Sequence, residues 1–347
     1  MDNNEFSNDD VLREVFELPK DWAKALYSIE YCLTKHSISQ ELNEEKRRRK
    51  EKWLQYWEEG IIAQFRSISN DFDFALVCDE YALQEYLRKL NLDSTQKSHA
   101  YLVIIEALFF RPYFKLDLQV NADEECSNQN LSYKLDIDYL SSLSQELNIN
   151  KQLINRFQKR FKRSYMFLSG KATTVIICAV VAGVAIAVTA GVMAPSVALL
   201  FAAPGLYGAV AISSGLAAIG GGAVAIGGAG MLGGITVLVT TGGILGVVGG
   251  AGIGALVASS PALATIIAAK LEVYFREVLL PIINDPDKAR NILRGQEAFI
   301  KTLNEQLEQS SSIPDSDKKA IKLLQKAIKV LQRGLDRNRN ALLKFNA

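Results

Sequence analysis

The sequence predicts an all-α protein in which a helical soluble head precedes about four hydrophobic membrane helices and a C-terminal helical hairpin. Three observations carry this prediction. The 347-residue chain contains no Asp, Glu, Lys, Arg or His between residues 172 and 269. Twenty of its 24 glycines lie within those 98 residues. On both sides of that stretch, apolar residues recur at intervals of three and four, which is typical of amphipathic helices.

Charge divides the chain into four parts, which we interpret as domains. Residues 1–150 form an acidic helical domain, the head, with 17 Lys and Arg against 28 Asp and Glu. Residues 151–171 form a basic collar helix with seven basic residues and no acidic one. Residues 172–269 form the hydrophobic glycine-rich membrane region, and residues 270–347 form the C-terminal helical hairpin with a net charge of +5. Because the head is strongly acidic, we expect no binding to nucleic acid.

The uncharged stretch is too long for one membrane passage. As a single helix it would extend for about 150 Å, roughly five times the thickness of the hydrocarbon core. Breaks at Pro195, at residues 220–222, near Gly242 and at Pro261 divide it into about four passages. Both flanks are basic, so we expect an even number of passages with both termini cytoplasmic. The high Gly and Ala content leaves two modes open, permanent insertion or a form that stays soluble until triggered.

Within this region Gly242, Gly246, Gly250 and Gly254 recur at every fourth position. Such a stripe, a glycine zipper, lets the backbones of membrane helices approach closely, so we predict that it is a helix-packing surface. The alternative is a chance consequence of so many glycines. In the collar, we predict that Lys159, Arg160, Lys162 and Arg163 contact lipid headgroups.

Helices are also predicted in both flanking modules. Trp53, Trp57, Ile61 and Phe65 follow one another at intervals of four, which predicts one apolar helix face beginning near residues 39–41. Further helices are expected at about 74–91, 96–110, 137–148 and 150–168. After the membrane region we expect helices over 271–283, 287–308 and from about residue 316 onward. The last has an apolar seam at positions 321, 324, 328, 331 and 335, which serves either the hairpin itself or a homo-oligomer.

The segments DFALVCDEYALQEYLRKLN, SHAYLVIIEALFF, LDIDYLSSLSQELN and NKQLINRFQKRF resemble, in order and spacing, the tellurite-resistance TerB-type helical bundle. The resemblance implies a helical bundle with paired acidic residues, here Asp71, Asp73, Asp136 and Asp138. No EF-hand glycine or terminal glutamate accompanies these acids, and the alternative is that they are solvated.

The segment VTAGVMAPSVALLFAAPGLYGA, preceded by the basic collar, resembles the membrane region of the hydrolase-linked transmembrane-and-coiled-coil family. That resemblance implies a helical membrane region that anchors a lipase-like domain. The chain contains no GxSxG nucleophile elbow, and only 78 residues follow residue 269. We therefore do not expect hydrolase activity.

The remaining catalytic motifs are also missing from the sequence. His36 and His99 are the only histidines, and they form no HExxH or paired zinc motif. The glycines match no P-loop. We therefore expect no enzyme, no cofactor and no metal.

Two functions from different classes remain. The first is a toxin-like, pore-forming effector, similar in principle to colicin-type and apolipoprotein-L-type proteins. It would perforate or depolarise a bilayer through Gly-packed helices, with the acidic head restraining insertion. The alternative is a membrane-anchored adaptor that presents the head to a protein partner. Both functions place the chain at a lipid bilayer.

Overall fold

The computed structural model describes residues 20–69, 74–93, 97–113, 131–170, 261–311 and 318–345. Within these ranges every regular element is a helix, as the all-α prediction requires. The α-helices are α1 (Lys20–Ser39), α2 (Glu44–Ser69), α3 (Glu80–Asp93), α4 (Ser98–Phe109), α5 (Ile137–Gln145), α6 (Lys151–Ser169), α7 (Pro261–Tyr274), α8 (Pro286–Ser311) and α9 (Lys318–Phe345). A π-helix, Phe275–Ile283, continues directly from α7.

Helices α1 and α4 form the centre of the head, and α2 and α3 pack against α1. The apolar face predicted on α2 is confirmed at Trp53, Trp57 and Ile61, which are fully buried, whereas the side chain of Phe65 lies outside the described residues. The helix begins at Glu44 and not near residues 39–41. The two indole rings stack with their centroids 6.1 Å apart. Large aromatic side chains such as these bury the most apolar area per residue, so this face anchors α2 to the head.

The predicted start of the helix over 74–91 is wrong. Residues 74–78 form no regular secondary structure, and α3 begins at Glu80. The backbone N–H of Val77 donates a hydrogen bond to Ser28 Oγ of α1 at 3.0 Å. Asp79 then caps α3 by accepting a hydrogen bond from the backbone N–H of Ala82 at 2.9 Å.

The predicted collar helix corresponds to α6, and local signals define both of its ends. The side chain of Asn150 caps the start by accepting a hydrogen bond from the backbone N–H of Leu153 at 2.9 Å. Gly170 ends it in the left-handed conformation with φ of 67°, which glycine adopts without a Cβ clash. The buried face of α6 includes Phe157 and Phe161, and Phe161 stacks on Phe109 of α4.

The C-terminal hairpin is formed by α8 and α9, which pack against each other. Arg339 of α9 pairs with Glu297 of α8 at 2.7 Å. Four of the five predicted seam residues of α9 are buried within the single chain, namely Leu324, Ile328, Leu331 and Leu335, and the fifth, Ile321, is partly exposed. The seam is therefore satisfied by intramolecular packing.

The helix predicted over 271–283 belongs to a longer element. It starts at Pro261 as α7, so the domain boundary predicted at residue 269 falls inside a helix. From Phe275 onward the chain adopts the wider π-helix, which contains Pro281. Asn284 ends it with φ of 56°, and its N–H donates to the carbonyl of Leu279.

Over the described ranges, none of the helices combines the length and the apolar character needed to cross a bilayer. Most of the predicted membrane region, residues 172–260, lies outside these ranges. Its last nine residues, 261–269, form the start of α7, where Ala264, Ile266 and Ala269 are buried against protein.

Candidate functional site

The helices that flank the apolar segment pack side by side and run in opposite directions. Arg160 of α6 contacts Glu277 of the π-helix, whereas Ser164, one turn further along α6, contacts Glu272 of α7. Residue numbers therefore rise along α6 as they fall along its partner. Gly170 and Pro261, where the described chain leaves and re-enters, consequently lie at the same end of the helical body. We call this end the exit face.

Glu277 binds two arginines of the basic collar. Its carboxylate accepts hydrogen bonds from Nε of Arg156 at 2.9 Å and from Nε of Arg160 at 2.8 Å. The Glu277 side chain is only 8% exposed, so salt screens this contact less than it screens a surface ion pair. The contact fixes the first half of α6 to the start of the π-helix.

Glu272 is completely buried and connects three helices. Arg337 of α9 donates to its two oxygens through Nε at 2.6 Å and Nη2 at 2.7 Å, and Ser164 Oγ of α6 donates at 2.7 Å. Burial alone would raise the pKa of Glu272, but the hydrogen bonds from Arg337 and Ser164 outweigh it and lower that pKa. An ionised carboxylate therefore links α6, α7 and α9.

Lys270 connects α7 to the head. Its ammonium group donates to Glu106 Oε2 of α4 at 2.6 Å. The two side chains are only 2% and 7% exposed. Because a lone charge in such a place is strongly disfavoured, each of them requires the other.

A second head carboxylate lies close to this pair. Glu30 of α1 is buried, and within the described residues its Oε2 atom has no hydrogen-bond partner. Burial, and then the charge of Glu106, raise the pKa of Glu30 well above its usual value, while Lys270 opposes the shift. Glu30 therefore keeps its proton to a higher pH than an exposed glutamate does.

We call Glu106, Lys270, Glu272 and Glu277, with their partners, the charged junction. It joins the head, the collar and the C-terminal hairpin to the two flanks of the apolar segment. A buried polar network of this kind is costly unless every member is paired, so it favours one arrangement of the helices. Its chemical role is to hold the flanks in register.

The four predicted headgroup ligands fall into two groups in the structure, one residue in an ion pair and three exposed residues. Arg160 is half-buried in its pair with Glu277. Lys159, Lys162 and Arg163 are exposed on α6, and among the described residues they form no ion pair. The predicted packing glycines at positions 242, 246, 250 and 254 lie outside the described residues.

The paired acids of the TerB-like resemblance have local structural partners. Asp136 caps α5 by accepting hydrogen bonds from the backbone N–H groups of Asp138 and Tyr139, and it also contacts His36 Nε2 at 3.1 Å. Asp138 pairs with Lys151. Across the described ranges, no group of His, Cys, Asp and Glu is arranged to hold a metal ion. Asp71 and Asp73 lie outside those ranges.

The junction residues were not predicted as a site, although the sequence carries a signal for them. Glu106 is the only charged residue in the apolar run YLVIIEALFF. Lys270 and Glu272 interrupt the run IIAAKLEVYF in the same way. An isolated charge in an apolar helix face indicates a buried ion pair, because burial without a partner is prohibitively costly.

No known protein family, curated protein or solved structure matches this chain. The resemblances to the TerB-type bundle and to the transmembrane-and-coiled-coil family therefore stay predictions.

Proposed function

We propose that the protein is a membrane-inserting effector whose apolar segment perforates or depolarises a bilayer through Gly-packed helices, assembled as a homo-oligomer. The observation that carries the proposal is the antiparallel packing of α6 and α7. It brings the two ends of an uncharged segment of about 90 residues to one exit face. A segment that leaves and returns on one side requires an even number of passages. The head, collar and hairpin would then remain on the cytoplasmic side.

The charged junction supplies the restraint in this proposal. The head carboxylate of Glu106 binds Lys270, just after the apolar segment, while Glu277 binds the collar before it. The head thus acts through Lys270 on α7, together with the Asp138 contact to Lys151 at the start of α6. These pairs have to weaken before the segment inserts, so the protein stays soluble until it meets an anionic bilayer.

Dye release from vesicles tests the effector function. The purified full chain is added to dye-loaded vesicles that contain phosphatidylglycerol, and we expect release that rises with protein concentration. The matched variant is Gly246→Leu with Gly250→Leu, which makes the segment more apolar but blocks close approach of the helix backbones. It should bind the vesicles and release little dye.

The adaptor function predicts a different result. If the wild-type chain sediments with the vesicles and resists carbonate extraction but releases no dye, the apolar segment is only an anchor. If wild type and the double glycine variant release dye equally, the Gly-packed mechanism is wrong. Circular dichroism of both chains checks that they are equally helical.

A further inference from the structure

The outward face of α9 carries an unbroken stripe of positive charge. Lys318, Lys322, Lys326, Lys329 and Arg333 are exposed at successive intervals of four, four, three and four residues. At 3.6 residues per turn they lie within an arc of roughly 80°, opposite the buried seam of α9. No acidic residue occurs from residue 318 to residue 335. Within the described ranges, none of the five forms an ion pair.

The orientation of α9 sets the place of this stripe. A Cβ placed on Gly334 would lie 3.0 Å from Ala268, and further along both helices Arg276 donates to the carbonyl of Arg337. Residue numbers therefore rise together along α7 and α9. The first half of α9 extends toward the exit face, where α7 begins. At 1.5 Å per residue, Lys318 lies about 20 Å from the level of Leu331, in the direction of that face.

The exposed end of the collar adds to the same positive field. Lys159, Lys162 and Arg163 are exposed on the half of α6 that leads to Gly170. Helices α6 and α9 are in contact, with the Arg337 guanidinium 4.4 Å from the ring centroid of Phe167. Two helices thus present unpaired cations around the end where the uncharged segment begins and ends.

We propose that the basic stripe of α9 is a docking surface for anionic lipid, which aligns the exit face with the bilayer. The proposal rests on the membrane function proposed above, and it names the surface that binds the bilayer before the apolar segment inserts. Lysines near an anionic membrane each strengthen binding, and the attraction extends over about one Debye length, roughly 8–10 Å at physiological salt. A stripe along one helix can bring several lysines to a planar surface together. The collar cations would make the second contact.

The position of the stripe favours lipid over nucleic acid. It runs toward the two flanks of an uncharged, apolar segment of about 90 residues, which a bilayer can bury and a nucleic acid cannot. Binding of RNA is therefore the competing outcome of the test.

The test compares two triple variants of the full chain. Lys322→Gln, Lys326→Gln and Lys329→Gln neutralise the middle of the stripe. Lys89→Gln, Lys97→Gln and Lys134→Gln remove the same charge from exposed lysines of the head that likewise form no ion pair in the described ranges. Both variants should retain the helical content and melting temperature of the wild type.

Cosedimentation with vesicles measures docking, using phosphatidylcholine alone and phosphatidylcholine mixed with phosphatidylglycerol. At low salt, we expect a loss of binding to the mixed vesicles of about fivefold per neutralised stripe lysine, and a much smaller loss for the head variant. High salt should reduce the difference in vesicle binding between the wild type and the stripe variant. Equal losses in the two variants, or a stripe variant that binds as wild type does, would overturn the proposal. So would a stripe variant that loses only binding to transfer RNA.

Dye release recorded on the same samples separates this inference from the proposed function. Stripe-dependent docking without any dye release would support the docking surface and contradict the effector function. If the wild type releases dye but neutralising the stripe does not weaken vesicle binding, the effector function is supported and the docking surface is overturned.

Discussion

Replacing Lys270 with Met should destabilise the head even though Lys270 lies far from it in sequence. The Lys270 and Glu106 side chains are 2% and 7% exposed and are joined by a 2.6 Å contact. Removing the ammonium leaves a buried carboxylate without its cation, which typically lowers the free energy of unfolding by about 3–5 kcal/mol. Met fills most of the volume of the lysine stem, so the loss reports the missing charge more than a cavity.

Urea unfolding followed by tryptophan fluorescence measures this effect. Trp22, Trp53 and Trp57 are all buried in the head, so the signal reports on the head itself. A second chain carries Glu106→Met as well, and we expect it to recover most of the lost stability, because two well-packed apolar residues can replace a buried pair. The requirement for a paired charge is refuted if Lys270→Met lowers the free energy of unfolding by less than about 1 kcal/mol. It is also refuted if the double variant is as unstable as the separate losses of Lys270→Met and Glu106→Met added together.

Three further outcomes are expected. Burial raises the pKa of Glu30 in the folded chain. The stability that Glu30 contributes is therefore complete below its pKa in the unfolded chain and is lost as the pH rises through its pKa in the folded chain. In urea titrations at alkaline pH, Glu30→Gln should be more stable than wild type. Burial, assisted by Lys288, lowers the pKa of His99 to about 4. The stability that neutral His99 contributes is therefore lost as the pH falls below about 6.5, its pKa in the unfolded chain. His99→Phe should reduce the slope of stability against pH on the acid side by up to about 1.4 kcal/mol per pH unit. Reporter fusions at residues 1 and 347 should mark the same side of the membrane, and opposite sides would contradict the even-passage topology.

The sequence was sufficient to predict elements whose signals are local. The buried face of α2 follows from apolar residues at intervals of four. The collar helix predicted over 151–171 agrees with α6 to within two residues, because Asn150 caps its start and Gly170 ends it. These features depend on helix periodicity and on capping chemistry, which neighbouring residues determine.

The start of α3 could not be predicted, because residues 74–78 fit two periods. Phe74 and Leu76 are buried at alternate positions, as in an extended strand, but the run FALVC is also apolar enough for a helix. In the structure these residues form no helix, and the backbone N–H of Val77 donates instead to Ser28, nearly 50 residues away. Tertiary contacts of this kind are not visible in a local pattern.

The same limit applies to charges. Lys50 lies in the run KRRRKEK, and charged runs of this kind usually form a solvated helix face. Lys50 is nevertheless only 3% exposed and pairs with Glu41 at 2.8 Å. Glu106 and Lys270 are 164 residues apart. A lone charge in an apolar run predicts that a partner exists, but the fold determines which residue it is.

The antiparallel packing of α6 and α7 also bears on how the chain folds. Because Gly170 and Pro261 lie at the same end of neighbouring helices, residues 171–260 form an insertion in a continuous helical body. The entropy of closing a loop grows only with the logarithm of its length, so 90 residues cost about 2 kcal/mol more than ten would. The contacts among α4, α6, α7 and α9 have only this small difference to offset. The apolar segment can therefore vary in length and composition while the body that holds its two ends keeps the same fold.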